Sequence, residues 1–349
     1  MSPSISHRPS EQTAAATTTA AAADGEKTVW YLAYGSNMEP KVLTGRRKIK
    51  PIESVPVIVP GYWLSFDIGG IPFVEPCFAS ILKMDPARMH DKAYAQEVFV
   101  RTQYGREFLW DERHPDHPAR SYPPVLQGVA HKITLRDWQL VIQSEGGWGH
   151  DVPTGYNQIE VDCRVVGTNE HITTHVLEAR PLSVKSHCQP SARYKALLVS
   201  GAAYHNLDPA YQQYLSTIVP YECTGARSKI ARVLFVFINF PTLLLFAFRF
   251  WTNKGKSADQ LQRPPYWQAW FFDKAARFSS TAHDYVIAPI LGSGRSSSLV
   301  QQAVIRERIQ KSMQVSETPQ EYQANMEADL DRESSALKMA EQAAETVAE

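Results

Sequence analysis

The run Val29-Trp30-Tyr31-Leu32-Ala33-Tyr34 stops abruptly in Gly35-Ser36-Asn37-Met38. Trp30, Tyr31, Leu32 and Tyr34 are strand formers in a short apolar run, so the spacing predicts a buried strand that ends where side-chain bulk vanishes. Gly35-Ser36-Asn37 offers a backbone without large side chains, and its N–H groups can face an anion or a polarised carbonyl. The same Tyr34-Gly35-Ser36-Asn37 composition also makes an ordinary turn. Residues elsewhere must decide between a cradle and a turn.

Further short apolar runs predict strands over residues 28–34, 55–66, 77–82, 125–133, 157–166 and 171–177. Thr134-Leu135-Arg136-Asp137 opens a helix, with Thr134 as its cap, Asp137 completing a capping box, and Trp138, Val141 and Ile142 recurring at helical spacing. Residues 191–203 and 208–216 read as two more helices, the second capped by Asp208 with Pro209 at its first helical position. The fold class is therefore α+β: a small mixed, mainly antiparallel sheet flanked by helices, with a hydrophobic helical C-terminal extension. There is no Rossmann glycine fingerprint and no phosphate loop.

The 349 residues divide by composition. Residues 1–27 are an Ala/Thr-rich, disordered N-terminus that lacks the apolar block of a secretory signal. Residues 28–226 form the candidate catalytic domain, within which 82–125 is a long charged and proline-rich insertion fit for a lid. Residues 227–300 are a hydrophobic and aromatic extension, and 301–349 a charged tail, disordered or helical in part. Equal numbers of basic and acidic residues, 36 each, exclude a general nucleic-acid binder, which needs a concentrated positive surface. The cysteines at 77, 163, 188 and 223 are too scattered for a zinc knuckle or a disulfide framework and read as cytosolic thiols. His114 and His117 lie in a proline-rich stretch that fits an exposed loop rather than a metal site.

The segment from Ile230 to Trp251 is the second unusual feature. Its apolar centre, 233–248, carries only Asn239 and Thr242 as polar side chains and is bracketed by Arg232 and Arg249. A membrane-crossing helix needs about 20 apolar residues, so the run is short for a span, and Pro241 is expected to kink it. Basic residues on both sides give no orientation. Two readings stand: a membrane anchor lying in plane or as a hairpin, with the 266–272 aromatic cluster at headgroup level, or a buried helix with an aromatic lid. The chain is thus cytoplasmic in either reading, free or held at a membrane.

Glu145 precedes the glycine-rich break Gly146-Gly147-Trp148-Gly149, where a predicted helix ends. A carboxylate there can project into a cavity, and the nearby Trp138, Leu140 and Trp148 predict an apolar surrounding that would raise its pKa and make it a proton carrier. A glutamate before glycine is equally a common helix end.

The order and spacing of these two elements resemble the γ-glutamylcyclotransferase family, in which a Tyr-Gly-Ser-Asn loop follows the first strand and a Glu-Gly pair ends a later helix. The resemblance continues through Pro76-Cys77-Phe78-Ala79-Ser80-Ile81, Gln127-Gly128-Val129-Ala130-His131-Lys132-Ile133, Thr154-Gly155-Tyr156-Asn157, Pro190-Ser191-Ala192-Arg193-Tyr194-Lys195, Gly201-Ala202-Ala203 and Leu207-Asp208-Pro209-Ala210-Tyr211. It covers about residues 29–225 and implies a small barrel-like sheet with a cavity at its mouth. It further implies a lyase without metal or cofactor that acts on a small-molecule γ-glutamyl substrate. The substrate's α-amine attacks its own γ-amide carbonyl and releases 5-oxoproline. By the same resemblance Glu145 is the acid/base, Tyr34, Gly35, Ser36 and Asn37 hold the γ-glutamyl group, and Tyr156 and Tyr194 line the cavity. The extended loop after Glu145, with Trp148 and His150, and the hydrophobic tail resemble a fungal secondary-metabolism relative, in which the γ-glutamyl group sits on a glutathione-derived conjugate, as in epidithiodiketopiperazine pathways. Two other readings stay open: a non-catalytic membrane-tethered γ-glutamyl-binding module, and the same pocket used for another proton transfer on a pathway intermediate. The oligomeric state is not legible in the sequence.

Overall fold

The computed structural model describes residues 27–103, 122–145, 156–180, 184, 188–223, 225–253 and 266–298. In chain order its main elements are β1 (Thr28–Ala33), β2 (Glu53–Ile58), β3 (Tyr62–Ile71), β4 (Glu75–Lys83), α1 (Lys92–Thr102), β5 (Gln127–Thr134), α2 (Leu135–Ser144), β6 (Tyr156–Val165), β7 (His171–Ala179), α3 (Ala192–Tyr204), α4 (Pro209–Thr217), α5 (Ala226–Asn253) and α6 (Tyr266–Ala282). The architecture is mixed α+β, as the patterning predicts.

Five strands close a barrel in the order β1-β5-β2-β6-β7. All pairs are antiparallel except the closing one, where Tyr31 of β1 meets His175 of β7 in parallel. Gly128 is needed where β5 crosses β1, because a Cβ there would lie 2.5 Å from the Ala33 carbonyl oxygen. The single strand predicted over 55–66 is in fact two. β2 stops at Ile58, the Pro60-Gly61 pair turns the chain with Gly61 at φ +82°, and β3 leaves the barrel to pair with β4, with a single further bridge from Ile68 to Val184. Pro followed by a positive-φ Gly is a turn signature that outranks the apolar run on either side.

Local capping signals are realised. The Thr134 hydroxyl accepts from the Asp137 N–H at 3.1 Å, and Ser191 and Asp208 cap α3 and α4 through the N–H groups of Tyr194 and of Ala210 and Tyr211. α2 buries Trp138 and Val141, while α3 and α4 bury Leu198, Val199, Tyr211 and Leu215 in one core with Leu32, Val57, Val129, Ile133, Val161 and Val176 of the barrel. Each such aliphatic side chain contributes about 1.5–3 kcal/mol when fully buried.

The 82–125 insertion contains α1, whose Tyr94 and Val98 pack on Trp63. Residues 104–121, with His114 and His117, and residues 146–155, with Trp148 and His150, lie outside the described residues. The hydrophobic segment forms α5, and Pro241 does not end that helix. Among the described residues no helix is long and apolar enough to cross a membrane. After α6 the chain returns to the residues before α5: Gly294 O accepts from Phe73 N–H, Arg295 O accepts from Gln189 N–H, and Ser297 N–H donates to Gln189 Oε1.

Candidate active site

β1 delivers the loop. Past Tyr34 the chain makes a single tight turn, Ser36–Met38, closed by Met38 N–H donating to Gly35 O at 3.0 Å. A further helical turn, Lys41–Arg46, leaves Arg47 at its end. From the other side α2 carries Glu145, whose N–H still donates to Val141 O at 3.1 Å. The two segments meet across 108 residues: Asn37 Nδ2 lies 3.4 Å from Glu145 Oε1 and 2.6 Å from the Tyr31 hydroxyl. Arg47 closes the ring of contacts, donating through Nε to Asn37 Oδ1 at 2.7 Å and through Nη2 to Glu145 Oε1. With side-chain exposures of 10% for Arg47 and 22% for Glu145, this ion pair is poorly screened by water, while the carboxylate stays reachable.

Tyr194 of α3 stands over the loop. Its hydroxyl accepts from the Ala79 N–H at 3.2 Å, and its ring meets Phe78 edge-on at 5.3 Å. A Cβ on Gly35 would come within 2.8 Å of that hydroxyl. Gly35 has φ −117°, so it is a close approach and not a left-handed backbone that demands glycine here. Tyr34 flanks the loop and donates its hydroxyl to the Leu177 carbonyl, tying the end of β1 to β7. Tyr156 opens β6 opposite Ala179.

Burial raises the hydroxyl pKa of Tyr31, Tyr34, Tyr156 and Tyr194, and in all four the negative charge of Glu145 pushes the same way. Four protonated phenols thus lie within electrostatic range of one carboxylate. The apolar surrounding expected for Glu145 is not what is found. A guanidinium and an amide sit on it, and Trp138 lies a layer behind, tilted over Tyr31 at 5.4 Å and stacked on His175 at 5.7 Å. Among the described residues no cluster of His, Cys, Asp or Glu is placed to hold a metal ion.

No protein-family model matches the chain. It is 30% identical over 281 residues to the gamma-glutamyl cyclotransferase gliK of Aspergillus fumigatus, a match covering 79% of this chain and 92% of that relative. The chain belongs to the γ-glutamyl cyclotransferase family. The gamma-glutamyl cyclotransferase verK of Clonostachys rogersoniana is 28% identical over 52% of this chain and 90% of its own length. Among solved structures, a gamma-glutamyl cyclotransferase is similar at a TM-score of 0.39 and 18% identity over 59% of this chain and 98% of that one. The family resemblance carried by the loop and the Glu-Gly pair thus holds, with fungal relatives, and the protein is an enzyme of the cyclotransferase class.

Sequence reasoning missed two residues that the fold brings against Asn37 and Glu145, namely Arg47 and Tyr31. Tyr31 had a signal, since it precedes the loop on the same strand as Tyr34. Arg47 had almost none, because a second arginine at the end of a short basic helical turn looks like a surface residue. A third residue, His131 on β5, lies behind the loop. Its Nδ1 is 2.8 Å from Ser54 Oγ, and its ring lies between Tyr31 and His205 at 6.3 and 5.6 Å. Burial, with the His205 ring beside it, lowers the His131 pKa to about 3. The folded protein therefore keeps this ring neutral, while the unfolded chain binds a proton below about pH 6.5. Stability is expected to fall as pH drops from about 6.5 toward 3, by up to about 1.4 kcal/mol per pH unit from this group. His131→Gln, which can still reach Ser54, should flatten that acid limb in urea titrations. An unchanged limb would refute the assignment.

Proposed function

We propose that the enzyme cleaves a γ-glutamyl amide by internal displacement, releasing 5-oxoproline and a free amine, with Glu145 as the proton carrier. The observation that carries this reading is the contact of Glu145 with Asn37 of the Gly35–Asn37 loop, amid the hydroxyls of Tyr31, Tyr34, Tyr156 and Tyr194. The substrate α-amine attacks its own γ-carbonyl, a ring N–C bond forms, and the original amide C–N bond breaks. Glu145 takes the proton that the attacking amine sheds and returns it to the leaving amine, so water is not consumed and no redox partner is involved. Because the nucleophile is tethered, holding the bend supplies much of the rate; oriented intramolecular attack reaches effective molarities of about 10⁵–10⁸ M.

In this reading the N–H groups of Gly35, Ser36 and Asn37 bind the γ-glutamyl oxygens and the developing oxyanion, each such donor being worth about 10²–10³ in rate. Tyr34 forms a wall whose hydroxyl proton is already donated to Leu177 O, whereas Tyr194, whose hydroxyl accepts from the Ala79 N–H, and Tyr156 present aromatic bodies with hydroxyl tips. Arg47, bonded to both Asn37 and Glu145, makes the cradle and the carboxylate one rigid unit. The substrate we favour is a γ-glutamyl group on a glutathione-derived conjugate. Arg46 lies within electrostatic range of Arg47, Arg193, Glu145 and Glu75, and burial with the two neighbouring guanidinium charges lowers its pKa. Arg47 is paired with Glu145 and Arg193 with Glu75, so Arg46 is the cation whose charge suits a leaving amine that carries a carboxylate.

The test is mass-spectrometric detection of 5-oxoproline from a panel of γ-glutamyl dipeptides, glutathione and glutathione S-conjugates. Turnover is expected, fastest on conjugates. Binding of the whole panel without 5-oxoproline would overturn the reaction, and a preference for neutral γ-glutamyl amines would overturn the substrate class.

A further inference from the structure

Helix α5 has two unlike faces. Ala231 and Phe235 are buried against Phe73 and Ile287, with Ile238 beside them. On the opposite side stand Val233, Phe237, Phe240 and Leu244, exposed at 70, 76, 53 and 53%. Steps of four, three and four residues place them in one stripe along a helix, so they form an apolar ridge on the side away from Phe73 and Ile287. Ile230, 61% exposed, extends the ridge toward the helix start. A water-soluble surface rarely leaves such a continuous apolar stripe bare.

The charges around the ridge point to what covers it. Across its 28 residues α5 has no Asp or Glu, while Arg227, Lys229 and Arg232 are exposed in its first turns and Arg249 stands near its end in sequence. A second copy of the helix would offer these cations no carboxylate in either orientation. Anionic lipid headgroups would, and a helix with apolar side chains on one side and lysine and arginine at its margins is the form that lies in a membrane interface. Among the described residues no helix is both long and apolar enough to cross.

We propose that the ridge of Val233, Phe237, Phe240 and Leu244 seats the enzyme on an anionic membrane surface, with α5 lying in the plane of the interface. The barrel and the Glu145 site then stay in water, held at the surface from which a lipophilic conjugate would be drawn.

The test uses the full chain and sedimentation with phosphatidylcholine vesicles, with and without phosphatidylserine. The wild type is expected to co-sediment with the phosphatidylserine vesicles and far less with the neutral ones. Val233→Ser/Phe237→Ser/Phe240→Ser should weaken this by about tenfold or more per phenylalanine removed. The variant's melting temperature and 5-oxoproline release in detergent-free buffer should be unchanged, since these side chains touch neither core nor site. Arg227→Gln/Lys229→Gln/Arg232→Gln should abolish the preference for phosphatidylserine. The proposal falls if the wild type stays in the supernatant with both vesicles or if the serine variant sediments equally well. It falls too if the serine substitutions instead convert a dimer to a monomer by light scattering.

Discussion

Glu145→Gln is expected to lower the rate of 5-oxoproline release by about 10³-fold, within the 10²–10⁴ that a positioned proton carrier supplies, or about 4 kcal/mol of barrier. The substitution keeps the volume, and the amide oxygen can still accept from Arg47 Nη2 and Asn37 Nδ2, so the contacts that shape the site have a replacement. What is lost is the ability to bind a proton. The variant should therefore retain ligand affinity while turnover disappears, a loss in kcat with little change in KM. Rate should be read from single turnover by mass spectrometry, and folding from the melting curve. Full activity in a folded Glu145→Gln protein would remove Glu145 from the mechanism; unchanged kcat with a large rise in KM would make it a binding residue.

That this carboxylate could be picked out of the sequence at all reflects which signals are local. The strand read over 28–34 and found over 28–33, its arrest at Gly35, the Thr134 cap and the Asp208-Pro209 helix start depend on neighbours a few residues away. The barrel's closure does not: one parallel contact between Tyr31 and His175 joins its ends, and no pattern within either strand announces it. The same holds for Arg47, whose meaning comes only from facing Asn37 and Glu145. The split of the 55–66 run shows the opposite error, a local Pro60-Gly61 signal outweighed in the reading by the apolar residues around it. Composition alone gave Glu145 an apolar environment. The fold gives it a cation, because the helical turn after the loop delivers one.

Gly201→Ala should separate helix propensity from packing. At an ordinary helix position alanine is better than glycine by about 1 kcal/mol, so propensity alone predicts a more stable protein. In α3, however, a Cβ at position 201 would lie 2.7 Å from the Met38 Cβ and 2.8 Å from both the Met38 carbonyl carbon and the Glu39 nitrogen. Two of these are backbone atoms of the turn that follows Asn37, so no side chain can swing aside to relieve the clash. Glu39 is moreover fixed from α3, where the Ser200 hydroxyl donates to its Oε2. Overpacking against backbone costs about 1–3 kcal/mol, and the high end applies here, exceeding the propensity gain. At about 2–4 °C per kcal/mol for a domain of this size, the melting temperature should fall by roughly 4–8 °C. Relief would come from α3 backing away from the turn, which carries Tyr194 off Gly35 and shifts Asn37 relative to Glu145. Activity should therefore drop more than stability does, by about tenfold or more at a temperature where the variant is fully folded, given how steeply rate depends on placement of reacting groups. A melting temperature that rises on Gly201→Ala would mean that α3 does not press on this turn, and the close packing of helix against loop would have to be abandoned as the reason Gly35 and Gly201 are both glycine.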